Sequence, residues 1–104
     1  MTILMACSAT TYASENVSKS RQLELVQLVR NDCGSCHGMT LNGGLGAALL
    51  PETLRDRAPD ALRETILRGR TGTAMPPWSA FLNEAEAGWI VEQLMKGFPD
   101  ANRY

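Results

Sequence analysis

Apolar positions recur at three- and four-residue spacing in two parts of this chain. Between Ser20 and Cys33, Leu23, Val26 and Val29 fall on one stripe that Leu25 and Leu28 broaden. That spacing predicts an amphipathic helix of about three turns running into Cys33, with Ser18 or Ser20 as its N-cap. Between Asn83 and Gly97 a second stripe is formed by Ala87, Ile90, Val91 and Leu94, with Phe98 just beyond and Trp89 bordering it. Asn83 with Glu86 three residues later makes a capping-box pair, and Glu84 and Glu86 suit the positive end of a helix dipole. Gly97-Phe98-Pro99 closes the segment. Two shorter helical stretches are expected between these. One runs from Glu52 to Arg57 behind Pro51; the other opens at Pro59-Asp60, carries Leu62 and Ile66 with Ala58 on one face, and stops at Gly69. No alternating strand pattern and no internal repeat is found. The pattern describes a small all-α domain whose two long helices bury their stripes together.

Two stretches break the periodicity. Gly38 to Gly46 holds Gly38, Gly43, Gly44 and Gly46, a density that marks a loop with positive φ or close backbone approach. Thr71-Gly72-Thr73-Ala74-Met75-Pro76-Pro77-Trp78 is also a loop. Pro76 biases Met75 away from helix, and Pro77 reinforces the break, so Met75 is displayed on a stiff extended backbone.

The residues at these breaks carry the candidate chemistry. Cys33-Gly34-Ser35-Cys36-His37 places two thiols three positions apart and an imidazole next to the second, which is the pattern of covalent c-type haem attachment. Each thiol would form a thioether to one vinyl group, and His37 would supply a nitrogen ligand to the iron. A zinc site needs further Cys or His ligands at similar spacing, and the remaining thiol, Cys7, lies in an unrelated stretch. A thioredoxin-type dithiol would sit at a strand-to-helix junction, and no strand pattern surrounds Cys33. His37 is the single histidine, so two imidazoles from one molecule cannot both bind iron. Met39 is too near His37 in sequence to reach the opposite haem face, Met95 falls among core positions, and Met5 lies near the N-terminus. Met75 is therefore the expected sixth ligand, against the plainer reading of a methionine that fills a core gap. Trp78 would flank the haem edge or simply pack in the core.

Composition narrows the picture. At 104 residues the chain fits one small domain, with a limited core that a covalently held haem would enlarge. A net charge of −1 and the lack of a Lys/Arg run give no reason to expect nucleic acid as a partner. No apolar run reaches the about eighteen residues of a membrane span. Residues 1–17 read as a signal-peptide remnant or disordered tail, and residues 18–104 as the folded domain. Leu4-Met5-Ala6-Cys7 also resembles a lipoprotein box, with Cys7 as a possible lipid anchor. Five arginines between Arg55 and Arg70 make a solvated face with local ion pairs, or neutralise a haem propionate through Arg57 or Arg68.

Cys33-Gly34-Ser35-Cys36-His37, the return loop Gly46-x-x-Leu49, Gly72-x-x-Met75-Pro76-Pro77 and the last amphipathic helix resemble a small class I cytochrome c over roughly residues 18–98. Asn31-Asp32-Cys33 through Thr40, Asn42-Gly43-Gly44-Leu45-Gly46 and Met75-Pro76-Pro77-Trp78 look more narrowly like the NirC or c55X-type cytochromes. The resemblance implies an all-α class I cytochrome c fold with N- and C-terminal helices crossing, one covalent haem c, a periplasmic location, and one-electron transfer without substrate chemistry. It further implies an upstream electron donor and cytochrome cd1 nitrite reductase as partners in denitrification. The alternatives are a role in maturation of haem d1 and nitrite reductase, or a different terminal oxidase or reductase as acceptor. In such cytochromes a backbone carbonyl of the return loop accepts the ring N–H of the haem histidine. The usual Gly-Pro is Gly46-Ala47 here, which leaves open which carbonyl serves.

Overall fold

The computed structural model describes residues 17–99; the N-terminal tail, Cys7 and its lipid-anchor reading, and the last five residues lie outside the described residues. Helix α1 (Lys19–Leu28) starts at Ser18, whose hydroxyl accepts the Arg21 N–H at 3.2 Å. The coil does not continue as α-helix into Cys33. A π-helical turn, Val29–Cys33, intervenes, with the Gly34 N–H reaching back to the Val29 carbonyl. A last α-helical turn, α2 (Gly34–His37), ends at Gly38, which has φ +93°. The wider π turn puts the residues after it out of phase with the α1 stripe. Beyond the glycine loop come α3 (Pro51–Leu54) and α4 (Pro59–Arg68), each with proline in its first turn. Helix α3 is shorter than the expected Glu52–Arg57 stretch. Helix α5 (Glu84–Lys96) carries the full capping box between Asn83 and Glu86. Among the described residues there is no strand.

The apolar stripes meet in one core. Leu25, Val26 and Val29 are buried with Trp89, Ile90, Ala87 and Leu94, and Leu41, Leu54, Leu67 and Leu82 close the cluster. Each such large side chain removed from water contributes about 1.5–3 kcal/mol. Two positions depart from the periodic reading. Leu23 is 37 % exposed, because the buried face of α1 centres on Leu25, Val26 and Val29 rather than on Leu23. Trp89 lies inside the core, edge-on to Phe98 with ring centroids 6.5 Å apart, rather than on its border. Val17, one residue before the expected start of the domain, is also buried, and its carbonyl accepts from the Gln22 side chain at 3.1 Å.

Polar contacts fasten the N-terminal segment to the C-terminal one at both ends. Arg21 pairs with Glu86 at the start of α5 and donates to the Phe81 carbonyl at 3.0 Å. Arg30 donates to the carbonyls of Phe98 and Pro99 at 3.1 and 3.0 Å, and its guanidinium lies 5.4 Å from the Phe98 ring centroid. Helix α5 also packs against α4 and α3. Among the described residues no helix is long and apolar enough to cross a membrane.

Candidate functional site

The π turn and α2 present Cys33, Cys36 and His37 within one short stretch of coil. Both thiols are free, Cys33 partly buried and Cys36 exposed. Burial, assisted by the negative charge of Asp32, pushes the Cys33 thiol up to about 11, so it stays protonated and neutral near pH 7. That is the reverse of the low-pKa thiolate of a disulfide exchanger. Among the described residues no cluster of three or more His, Cys, Asp or Glu side chains is placed to hold a metal ion.

His37 is oriented by the glycine loop. Its Nδ1 lies 2.7 Å from the Ala47 carbonyl oxygen. A carbonyl can only accept, so Nδ1 carries the proton and Nε2 keeps the lone pair. The loop that delivers Ala47 is tied back on the same turn. The Gly43 N–H donates to the His37 carbonyl at 2.8 Å, and the Gly46 N–H donates to the Cys36 carbonyl at 2.8 Å. Gly46 lies flat against the imidazole: a Cβ there would sit 2.7 Å from Cε1 and Nδ1. The carbonyl left open by the sequence is thus that of Ala47, and replacement of the usual proline by alanine leaves it in place.

Met75 is held on a separate element, the loop that follows α4. Gly69 ends α4 at φ +71° and runs directly beneath the Met75–Pro77 backbone; a Cβ on it would be 2.6 Å from the Met75 carbonyl oxygen. The Arg70 N–H donates to that carbonyl at 3.2 Å. Past the two prolines, the N–H groups of Trp78 and Ser79 donate to the Ile66 and Leu67 carbonyls at 3.0 and 3.1 Å, which satisfies the open end of α4. Met75 and Trp78 are half-buried, and Trp78 packs on the core with Phe81 tilted 5.8 Å away. Among the arginines weighed for a propionate, Arg68 extends into solvent and pairs with Glu64 at 2.8 Å, and Arg57 is exposed. The interactions the sequence did not foretell are the Gly46 contact with the ring and the hydrogen bonds of Thr73 in the Met75 loop. A glycine cluster signals close approach somewhere without saying to what.

A turn carrying Cys33, Cys36 and an imidazole oriented by Ala47, with a methionine thioether on a later loop, offers the residue types that fit haem c. With the helical fold they define a c-type cytochrome domain, and the family model for cytochrome c oxidase, cbb3-type, subunit III matches residues 21–94. The cytochrome c55X of Pseudomonas aeruginosa is 45 % identical over 97 residues, covering 93 % of this chain and 82 % of that protein. The cytochrome c55X of Paracoccus denitrificans is 42 % identical over 92 % of this chain and 93 % of its own length. The solved structure of the c-type cytochrome NirC superposes with a TM-score of 0.76 at 49 % identity, over 77 % of this chain and 94 % of that one. The chain belongs to the cytochrome c55X family. A dihydro-heme d1 dehydrogenase of Pseudomonas aeruginosa is also similar, 40 % identical over 69 % of this chain but only 15 % of that protein.

Proposed function

We propose that this protein is a periplasmic monohaem cytochrome that passes single electrons to cytochrome cd1 nitrite reductase during denitrification. Cys33 and Cys36 would hold the haem through thioether bonds, and His37 and Met75 would supply the nitrogen and sulfur donors to its iron. When bound, haem c supplies a one-electron couple. The chain's own groups keep the surroundings of that couple constant. The Ala47 carbonyl fixes the His37 tautomer and the orientation of the ring, leaving Nε2 as the donor atom. One imidazole and one thioether favour the reduced state more than two imidazoles do. With the Nδ1 proton held in that bond, no proton needs to move with the electron. The observation that carries the reading is the Cys33–His37 turn with its ring locked by Ala47, in a chain whose relatives are cytochromes c55X over most of their length.

The test is rapid mixing of the purified, reduced protein with a panel of terminal reductases and oxidases, nitrite reductase among them. Fast oxidation by nitrite reductase is expected. Failure there, with normal transfer to another oxidase, overturns the nitrite-specific assignment. A second reading is a role in maturation of haem d1, and the similarity of one domain of a dihydro-heme d1 dehydrogenase favours it. It requires that a strain lacking this protein accumulate nitrite reductase with incomplete haem d1 while other donors sustain turnover.

A further inference from the structure

A neutral thioether is a weak donor, so its hold on a metal depends on how firmly its backbone is placed. The segment Arg70–Met75 closes on itself through one side chain. The Thr73 hydroxyl donates to the Arg70 carbonyl at 2.7 Å and accepts the Met75 N–H at 3.3 Å. A hydroxyl has one hydrogen and free lone pairs, so both bonds form together. The Thr73 N–H adds a bond to the Arg70 carbonyl at 3.1 Å, and the Arg70 N–H holds the Met75 carbonyl at 3.2 Å. Both peptide groups flanking the Met75 Cα are therefore tied to Arg70, the leading one by way of Thr73. Downstream, Pro76 and Pro77 have no N–H to offer, and the next anchors are Trp78 and Ser79 on the end of α4. Thr73 is exposed and fills no core space, so packing does not account for it.

We propose that Thr73 is a positioning residue for Met75: its hydroxyl latches the loop and so sets the fraction of molecules in which the thioether is engaged. This rests on Met75 as the sixth ligand. The experiment uses the haem-loaded protein with carbon monoxide as probe, together with the ferric sulfur-to-iron charge-transfer band. Loss of a net hydrogen bond in Thr73→Val is expected to raise the ligand-off fraction about three- to tenfold. Carbon monoxide binding by the ferrous protein should speed up by that factor and the ferric band should weaken, whereas Thr73→Ser should match the wild type in both. Carbon monoxide binding unchanged in Thr73→Val overturns the latch. Should Thr73→Val fail to take up haem, Thr73→Ala against Thr73→Ser reads the same two quantities. Met75→Ala separates the latch from its premise: if that variant keeps the band and still excludes carbon monoxide, Met75 is not the ligand.

Discussion

Gly46 is required by a ring rather than by a turn. Its backbone faces the His37 imidazole so closely that a methyl group would sit 2.7 Å from two ring atoms. The ring is itself held by the 2.7 Å bond from Nδ1 to the Ala47 carbonyl, which resists its displacement. Gly46→Ala is therefore expected to destabilise the folded protein by about 1–3 kcal/mol, the usual range for forced overpacking. Urea unfolding of the haem-loaded protein measures it, and an unchanged midpoint would show that the loop gives way at no cost. Gly72 is a useful contrast. It has open space around it but φ +79°, so Gly72→Ala meets only left-handed strain, about 1–2 kcal/mol, and leaves His37 untouched. The sequence showed that the Gly38–Gly46 loop needs glycine. It could not say which glycine answers to backbone conformation and which to a neighbour, because that neighbour arrives through tertiary folding. The ligand candidates were legible for the opposite reason: their identity lies in residue type and spacing, before any packing.

Helices α4 and α5 were readable almost to the residue because their boundaries are set locally, by Pro59 and Gly69 and by Asn83 and Glu86. The π turn at Val29–Cys33 was not. The apolar spacing through it is that of an ordinary helix, so residue type alone does not mark where the wider hydrogen bonding begins. The start of α5 carries a charge whose partner on α1 the pattern did not reveal. Glu86 accepts from the Asn83 N–H at 2.9 Å while its other oxygen takes Arg21 of α1. Burial alone would push its carboxyl up, but the bonds from Arg21 and from the Asn83 backbone outweigh this and hold it below the ordinary carboxylate value of 4.5. A depressed folded value gives stability that is present above the unfolded pKa and lost as pH falls through the folded one. Unfolding followed from pH ~6 down to ~3 should show this loss in the wild type, and a shallower fall in Glu86→Gln, which has no charge to neutralise. Glu86→Ala also removes half of the capping box and is expected to cost about 2 kcal/mol at neutral pH. Equal acid profiles for wild type and Glu86→Gln would refute the assignment.

The chain as a whole is closed by Arg30, a residue the apolar pattern passes over as a polar position just past α1. The family resemblance pairs the N- and C-terminal helices, and Leu25, Val26 and Val29 lie in one buried cluster with Trp89, Ile90 and Leu94. How the far end of α5 is secured is not written in any periodicity. Arg30 reaches the carbonyls of Phe98 and Pro99 and lies over the Phe98 ring, which in turn stands against Trp89. Two hydrogen bonds to backbone carbonyls and a cation–π contact together are worth about 2 kcal/mol. Arg30→Ala should lose that amount in urea unfolding and speed amide hydrogen exchange in the last turn of α5. Arg30→Lys should fall between, because an ammonium keeps the charge without the planar fork that spans two carbonyls. Arg30 makes none of the bonds that hold His37 or Met75, so the ferric spectrum of the folded fraction should not change. If Arg30→Ala alters that spectrum while stability holds, this residue acts on the haem pocket and not on the closure of the chain.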